Sequence, residues 1–205
     1  MSPRTILTTA SGRNIDLLNP SVGDIRFADI AEHLAKENRY NGATPSLCYS
    51  VAEHSVRCAD AALAATGDEL LAAYLLLHDC HEAYSKDDTT PKKRALDAIA
   101  QQRFGVLAGD IMKAFAVLTD QLDAVIHQAA GIPYPPSPEM QEQIHHFDRV
   151  LLATEWRDLM KCATPYDFAK ELLPDTIIPK DWQSARNEFH SRCRSLLPVF
   201  REQRL

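Results

Sequence analysis

His78 and Asp79 stand side by side at the end of an apolar run, residues 70–77, in the stretch LLLHDCHEAYSKDDTTPKK, with Glu82 and Asp87 following. A hydrophobic core has no use for a charge there. A buried carboxylate is costly unless a cation or strong donors accompany it, and a divalent metal ion would be such a cation. Two residues of the same chemistry stand elsewhere: His54 in Ser50-Val51-Ala52-Glu53-His54-Ser55, and Asp148, a polar intrusion into an otherwise apolar face, in Ile144-His145-His146-Phe147-Asp148-Arg149-Val150-Leu151-Leu152. Two imidazoles and two carboxylates suit one borderline or hard divalent ion: Mn, Co, Fe, Zn, Ni or Mg. The absence of thiolates from this set argues against a structural zinc site. Taken singly, the same residues also read as satisfied core histidines and as an ion pair of Asp148 with Arg149 or Arg157.

The four candidate ligands fall on three separate predicted helices. Helical periodicity dominates the chain. Helices are expected over about 26–38 (Phe27, Ile30, Ala31 and Leu34 inward), about 50–65, and from Gly67-Asp68 to about Ser85. Pro91 suits the first turn of the next, which covers 92–130 as one helix or a broken pair. Helices over 139–161 and 181–201 complete the pattern. The proline-rich segment 131–138 is a loop between helices. Only the start looks extended, with Ile6-Leu7-Thr8-Thr9 and Asn14-Ile15-Asp16-Leu17-Leu18 as two short strands about a Ser11-Gly12 turn. The expected architecture is all-α, a helical bundle with a short N-terminal β-hairpin, in one domain spanning 1–205.

The 205 residues suffice for one domain with a substantial core. A net charge of −6 argues against a nucleic-acid polymer as partner. No secretory leader and no membrane-spanning run is found, so a cytoplasmic protein without membrane association is expected. The five cysteines (48, 58, 80, 162 and 193) are odd in number and form no CxxC pair. They read as reduced thiols, mostly buried small hydrophobes.

The motifs Ser50-Val51-Ala52-Glu53-His54-Ser55, Leu77-His78-Asp79-Cys80-His81-Glu82-Ala83-Tyr84, Asp87, Pro91-Lys92 and the run 148–155, from Asp148 to Glu155, together resemble the HD-domain phosphohydrolases. The resemblance is strongest to the 5′-deoxynucleotidase (YfbR-like) branch. Thr9-Ala10-Ser11-Gly12-Arg13 and Arg39-Tyr40-Asn41-Gly42 also look like bacterial and phage members of that branch. The resemblance covers about residues 8–159. It implies that His54, His78, Asp79 and Asp148 ligate one divalent ion. Glu82 would orient or deprotonate the attacking water, Asp87 would protonate the leaving oxygen, and Arg39 would hold phosphate. Tyr40 stands where the branch often has Trp, at the sugar. Lys92, with Lys93 and Arg94, forms a second basic cluster near a helix N-terminus, which reads either as a guide for anions or as a solvated face.

The implied activity is hydrolysis of (deoxy)nucleoside 5′-monophosphates to nucleoside and phosphate, with a small nucleotide as partner and a homodimer through helical faces. Two other readings stand beside it: a dNTP triphosphohydrolase releasing tripolyphosphate, and a non-catalytic nucleotide-binding sensor. His81, His145 and His146 are expected to pack or face solvent.

Overall fold

A computed structural model describes residues 5–44, 48–160, 162 and 171–202. It is all-α apart from an N-terminal hairpin, as expected. Strand β1 (Ile6–Thr8) pairs antiparallel with β2 (Asn14–Asp16), Leu7 opposite Ile15. The hairpin tip is clasped by the first helix, α1 (Phe27–Lys36). There the buried Asp29 accepts from Thr9 Oγ1 at 2.7 Å, Ser11 Oγ at 2.7 Å and the Ser11 amide at 3.0 Å. Among the described residues, no helix is long and apolar enough to cross a membrane.

Two helices form the centre. α2 (Val51–Thr66) starts where the Ser50 hydroxyl accepts the Glu53 amide, and ends at Gly67 in the left-handed conformation, φ 70°. That backbone is nearly free of cost for glycine alone. Asp68 then caps α3 (Glu69–Leu77), accepting from the Leu70 and Leu71 amides. So short a link makes α2 and α3 antiparallel neighbours. Seven consecutive residues, Leu71 to Leu77, are buried, which makes α3 the inside of the bundle.

α3 does not continue to Ser85 as the periodicity predicts. It stops at Leu77, passes through a turn at His78–His81 and restarts as the one-turn α4 (Glu82–Ser85). Across the turn the amides reach back three residues rather than four: Cys80 to Leu77 at 2.9 Å, Glu82 to Asp79 at 3.0 Å, Ala83 to Cys80 at 3.1 Å. This tighter winding brings side chains three apart into line, so Glu82 stands over Asp79.

The predicted region 92–130 is a broken pair, α5 (Thr90–Phe104) and α6 (Asp110–Ala130), parted by Gly105 and Gly109. α7 (Pro138–Leu159) follows the proline-rich loop, capped by Ser137; Lys161, the expected end of that helix, lies outside the described residues. The last stretch is α8 (Trp182–Leu196), broken before Pro198, then α9 (Pro198–Glu202). α2, α3, α7 and α8 pack about the hydrophobic core, which includes Leu75, Leu76, Leu151 and Phe189.

Candidate metal centre

Three elements aim their ligands at one point. His54 comes from the first turns of α2 and is fully buried. His78 and Asp79 come from the turn that ends α3, and Asp148 from the middle of α7. His54 Nε2 lies 3.2 Å from His78 Nε2, 3.5 Å from Asp79 Oδ2 and 3.3 Å from Asp148 Oδ1. His78 Nε2 lies 3.3 Å from Asp79 Oδ2 and 3.8 Å from Asp148 Oδ1. Donors held about 2.0–2.2 Å from one ion fall about 3–4 Å from each other, so these separations fit a shared cation. His54, Cys58, His78 and Asp148 also form a group able to hold a metal ion, their ligand atoms all within 4.8 Å of one another. The Asp148 side chain keeps 35% exposure against none for His54, so the site opens toward α7.

Hydrogen bonds fix which imidazole nitrogen faces inward. His78 Nδ1 donates to the Leu75 carbonyl at 2.6 Å. His54 Nδ1 donates to Glu155 Oε1 at 2.6 Å. Each Nε2 is thereby left pointing at the cluster, the arrangement that second partners of metal-binding histidines impose.

Glu155 is fully buried and also accepts Arg39 Nε at 3.2 Å and Tyr40 OH at 2.6 Å on its other oxygen. Burial opposes its charge, but Arg39 and His54 hold its pKa down at about 2. It lies two helical turns past Asp148 on α7, so the two carboxylates share a face. That spacing is the sequence signal for Glu155. Its role was not assigned from the sequence, nor was that of Cys58, which was read as one of the buried hydrophobic thiols.

Arg39 and Tyr40 sit on a 3₁₀ turn, Arg39–Gly42, with Tyr40 at φ 58° and Asn41 at φ 52°. Left-handed backbone costs an ordinary residue roughly 1–2 kcal/mol, and here it delivers two side chains to one carboxylate. Arg39 Nη1 reaches Asp79 Oδ2 at 3.3 Å. Pairing of the 39 amide with the Tyr49 carbonyl, and of the Val51 amide with the Glu37 carbonyl, pins this turn beside the start of α2.

Glu82 and Asp87 adjoin the centre. Burial, then the charges of Asp79 and Asp87, push the Glu82 carboxyl up to about 10. Its Oε2 is buried without a hydrogen-bond partner among the described residues. Burial and Asp79 likewise raise Asp87, against the pull of Arg39. Asp79 itself is lowered: burial opposes the charge, but His78, His54 and Arg39 outweigh it. Asp148 is lowered too, the adjacent His54 and His78 imidazoles overcoming burial.

The remaining candidates make other contacts. Lys92 is exposed and pairs with Asp88. His81 turns to Asp123 of α6 at 3.0 Å. His145 bonds Gln141 at 2.9 Å, and His146 lies 3.6 Å from Glu171, both exposed. Arg157 binds Asp158 and the carbonyls of Leu173 and Asp175 rather than Asp148.

The uncharacterized protein YfdR of Escherichia coli is 30% identical to this chain over 155 residues, covering 76% of this chain and 72% of YfdR. The chain belongs to the same family as YfdR. An uncharacterized protein of Rhodobacter capsulatus is 36% identical over 127 residues, covering 60% of this chain. That match spans 57% of the Rhodobacter protein's own length. No family model matches the chain.

Proposed function

We propose that this chain is a metal-dependent phosphohydrolase of the HD-domain type, acting on (deoxy)nucleoside 5′-monophosphates. The observation that carries the reading is the convergence of His54 and His78 Nε2 with Asp79 and Asp148 oxygens within 3.2–3.8 Å. His54, His78, Asp79 and Asp148 would hold the ion, and the Asp148 side would admit the phosphate. A bound dication would supply Lewis acidity toward the phosphoryl group and lower the pKa of water.

The chain's own groups supply the rest. Glu82 stands over Asp79 and offers a buried oxygen that has no partner among the described residues, suited to holding the attacking water and taking its proton. A carboxyl pushed up to about 10 becomes a base only when positive charge joins the cluster, so hydrolysis and cation occupancy are tied together. Asp87, raised in the same direction by burial and Asp79, would serve as the acid toward the leaving 5′-oxygen. Arg39 brings the positive charge that a phosphate needs beside so many carboxylates. Its Nη1 would be shared between Asp79 and a phosphate oxygen, with Glu155 steadying Nε. Tyr40, its hydroxyl on Glu155 and its ring edge-on to Trp156 at 5.9 Å, would border the sugar.

The test is phosphate release from deoxynucleoside monophosphates by the purified chain with Mn or Co. Asp79→Ala and Glu82→Ala should each lower kcat by about 10²-fold or more. Full activity in both variants would refute this mechanism, and release of tripolyphosphate from a dNTP would move the substrate class to triphosphates.

A further inference from the structure

Cys58 lies one helical turn beyond His54 on α2, so the two side chains leave the same face. Its Sγ is 3.8 Å from His54 Nε2, the nitrogen on which His78, Asp79 and Asp148 also converge. The other buried thiols are placed differently: Cys80 donates to the Leu76 carbonyl at 3.6 Å, and Cys193 packs into the apolar core. A zinc-class ion holds an imidazole nitrogen at about 2.0–2.1 Å and sulfur at about 2.3 Å, and at those lengths the observed separation subtends about 120°. That angle is ordinary for a nitrogen and a sulfur on one ion.

We propose that Cys58 is a donor of this centre, and that its sulfur selects the ion. A soft ligand beside the imidazoles favours zinc, cobalt(II), ferrous iron or nickel over magnesium and manganese. The inference rests on the metal-centre reading and adds to it a ligand and a metal class. Binding breaks the S–H bond: the electron pair goes to the ion and the proton to solvent, with no change of oxidation state.

The experiment is addition of cobalt(II), without oxygen, to the metal-free full chain while the absorption spectrum is recorded. Visible ligand-field bands are expected together with an intense near-ultraviolet sulfur-to-cobalt charge-transfer band. Cys58→Ser should keep the first and lose the second. The preference for zinc over manganese, measured by competition, should fall in Cys58→Ser and Cys58→Ala by at least about tenfold, the loss typical of removing even an outer partner of a ligand.

Visible bands without a charge-transfer band in the unaltered chain would overturn the role of Cys58 and leave the metal centre standing. A charge-transfer band that persists in Cys58→Ser would overturn it as well. Failure of cobalt to produce ligand-field bands would sink the metal centre and this inference together. The unaltered chain's spectrum decides the question even where a variant does not fold.

Discussion

Glu155 gathers His54, Arg39 and Tyr40 on one buried carboxylate, and each contact has a different effect. His54 is held in the tautomer that frees Nε2, Arg39 is kept beside Asp79, and Tyr40 is kept in its left-handed turn. Glu155→Gln retains an oxygen for His54 but turns an amide N–H₂ toward donors on Arg39 and Tyr40. Metal affinity should fall by about 10–100-fold, measured by calorimetric titration, with the helical circular dichroism unchanged.

Glu82 allows a test of opposite sign. Its carboxyl is raised from an ordinary 4.5 to about 10. Its contribution to metal-free stability is therefore fully present below the unfolded pKa and is lost as pH climbs toward the folded one. Glu82→Gln cannot ionise and escapes that loss. The metal-free variant should melt higher than the unaltered protein at pH 8 by a few degrees, about what 1 kcal/mol gives a chain of this size. At pH 4 the two should coincide.

The one-turn α4 that carries Glu82 is too short to persist alone, so its support must come from elsewhere. His33 of α1 donates from Nδ1 to the Ala83 carbonyl at 2.8 Å, and its Nε2 accepts the Ala10 amide of the hairpin tip at 3.0 Å. One neutral imidazole ties the hairpin to the turn bearing the proposed base. His33→Ala should cost about 1–2 kcal/mol. It should speed amide exchange at residues 9–13 and 82–86 together, in hydrogen-exchange mass spectrometry; loosening of one segment alone would disprove the link.

Much of this level was legible beforehand. α1 shows a clear inward stripe of Phe27, Ile30, Ala31 and Leu34, and the Ser50, Pro91 and Gly67-Asp68 signals mark their helix ends. The end of α3 was not legible, because residues 71–77 are all buried and leave no polar face whose loss would announce a stop. Glu155 and Cys58 escaped for a related reason. On a helix packed on most sides, the pattern of apolar residues does not separate a core position from one that backs a ligand.

At the scale of the molecule, the centre joins three segments far apart in sequence: α2, the close of α3 and the middle of α7. A ligand bound only by the assembled state stabilises it by mass action. At a hundred times its dissociation constant a metal adds about 2.7 kcal/mol, roughly 5–10 °C for a chain of this size. Thermal melts with zinc or cobalt should show that rise and a chelator should reverse it. An unchanged midpoint would contradict a centre formed across the bundle.

The order of those segments along the chain also dictates timing. On the ribosome, His54, His78 and Asp79 emerge well before Asp148, and Glu155, which sets the His54 ring, emerges after that. A nascent polypeptide therefore lacks its full complement of donors until α7 has been synthesised, and a product truncated ahead of α7 would leave translation with an incomplete cage.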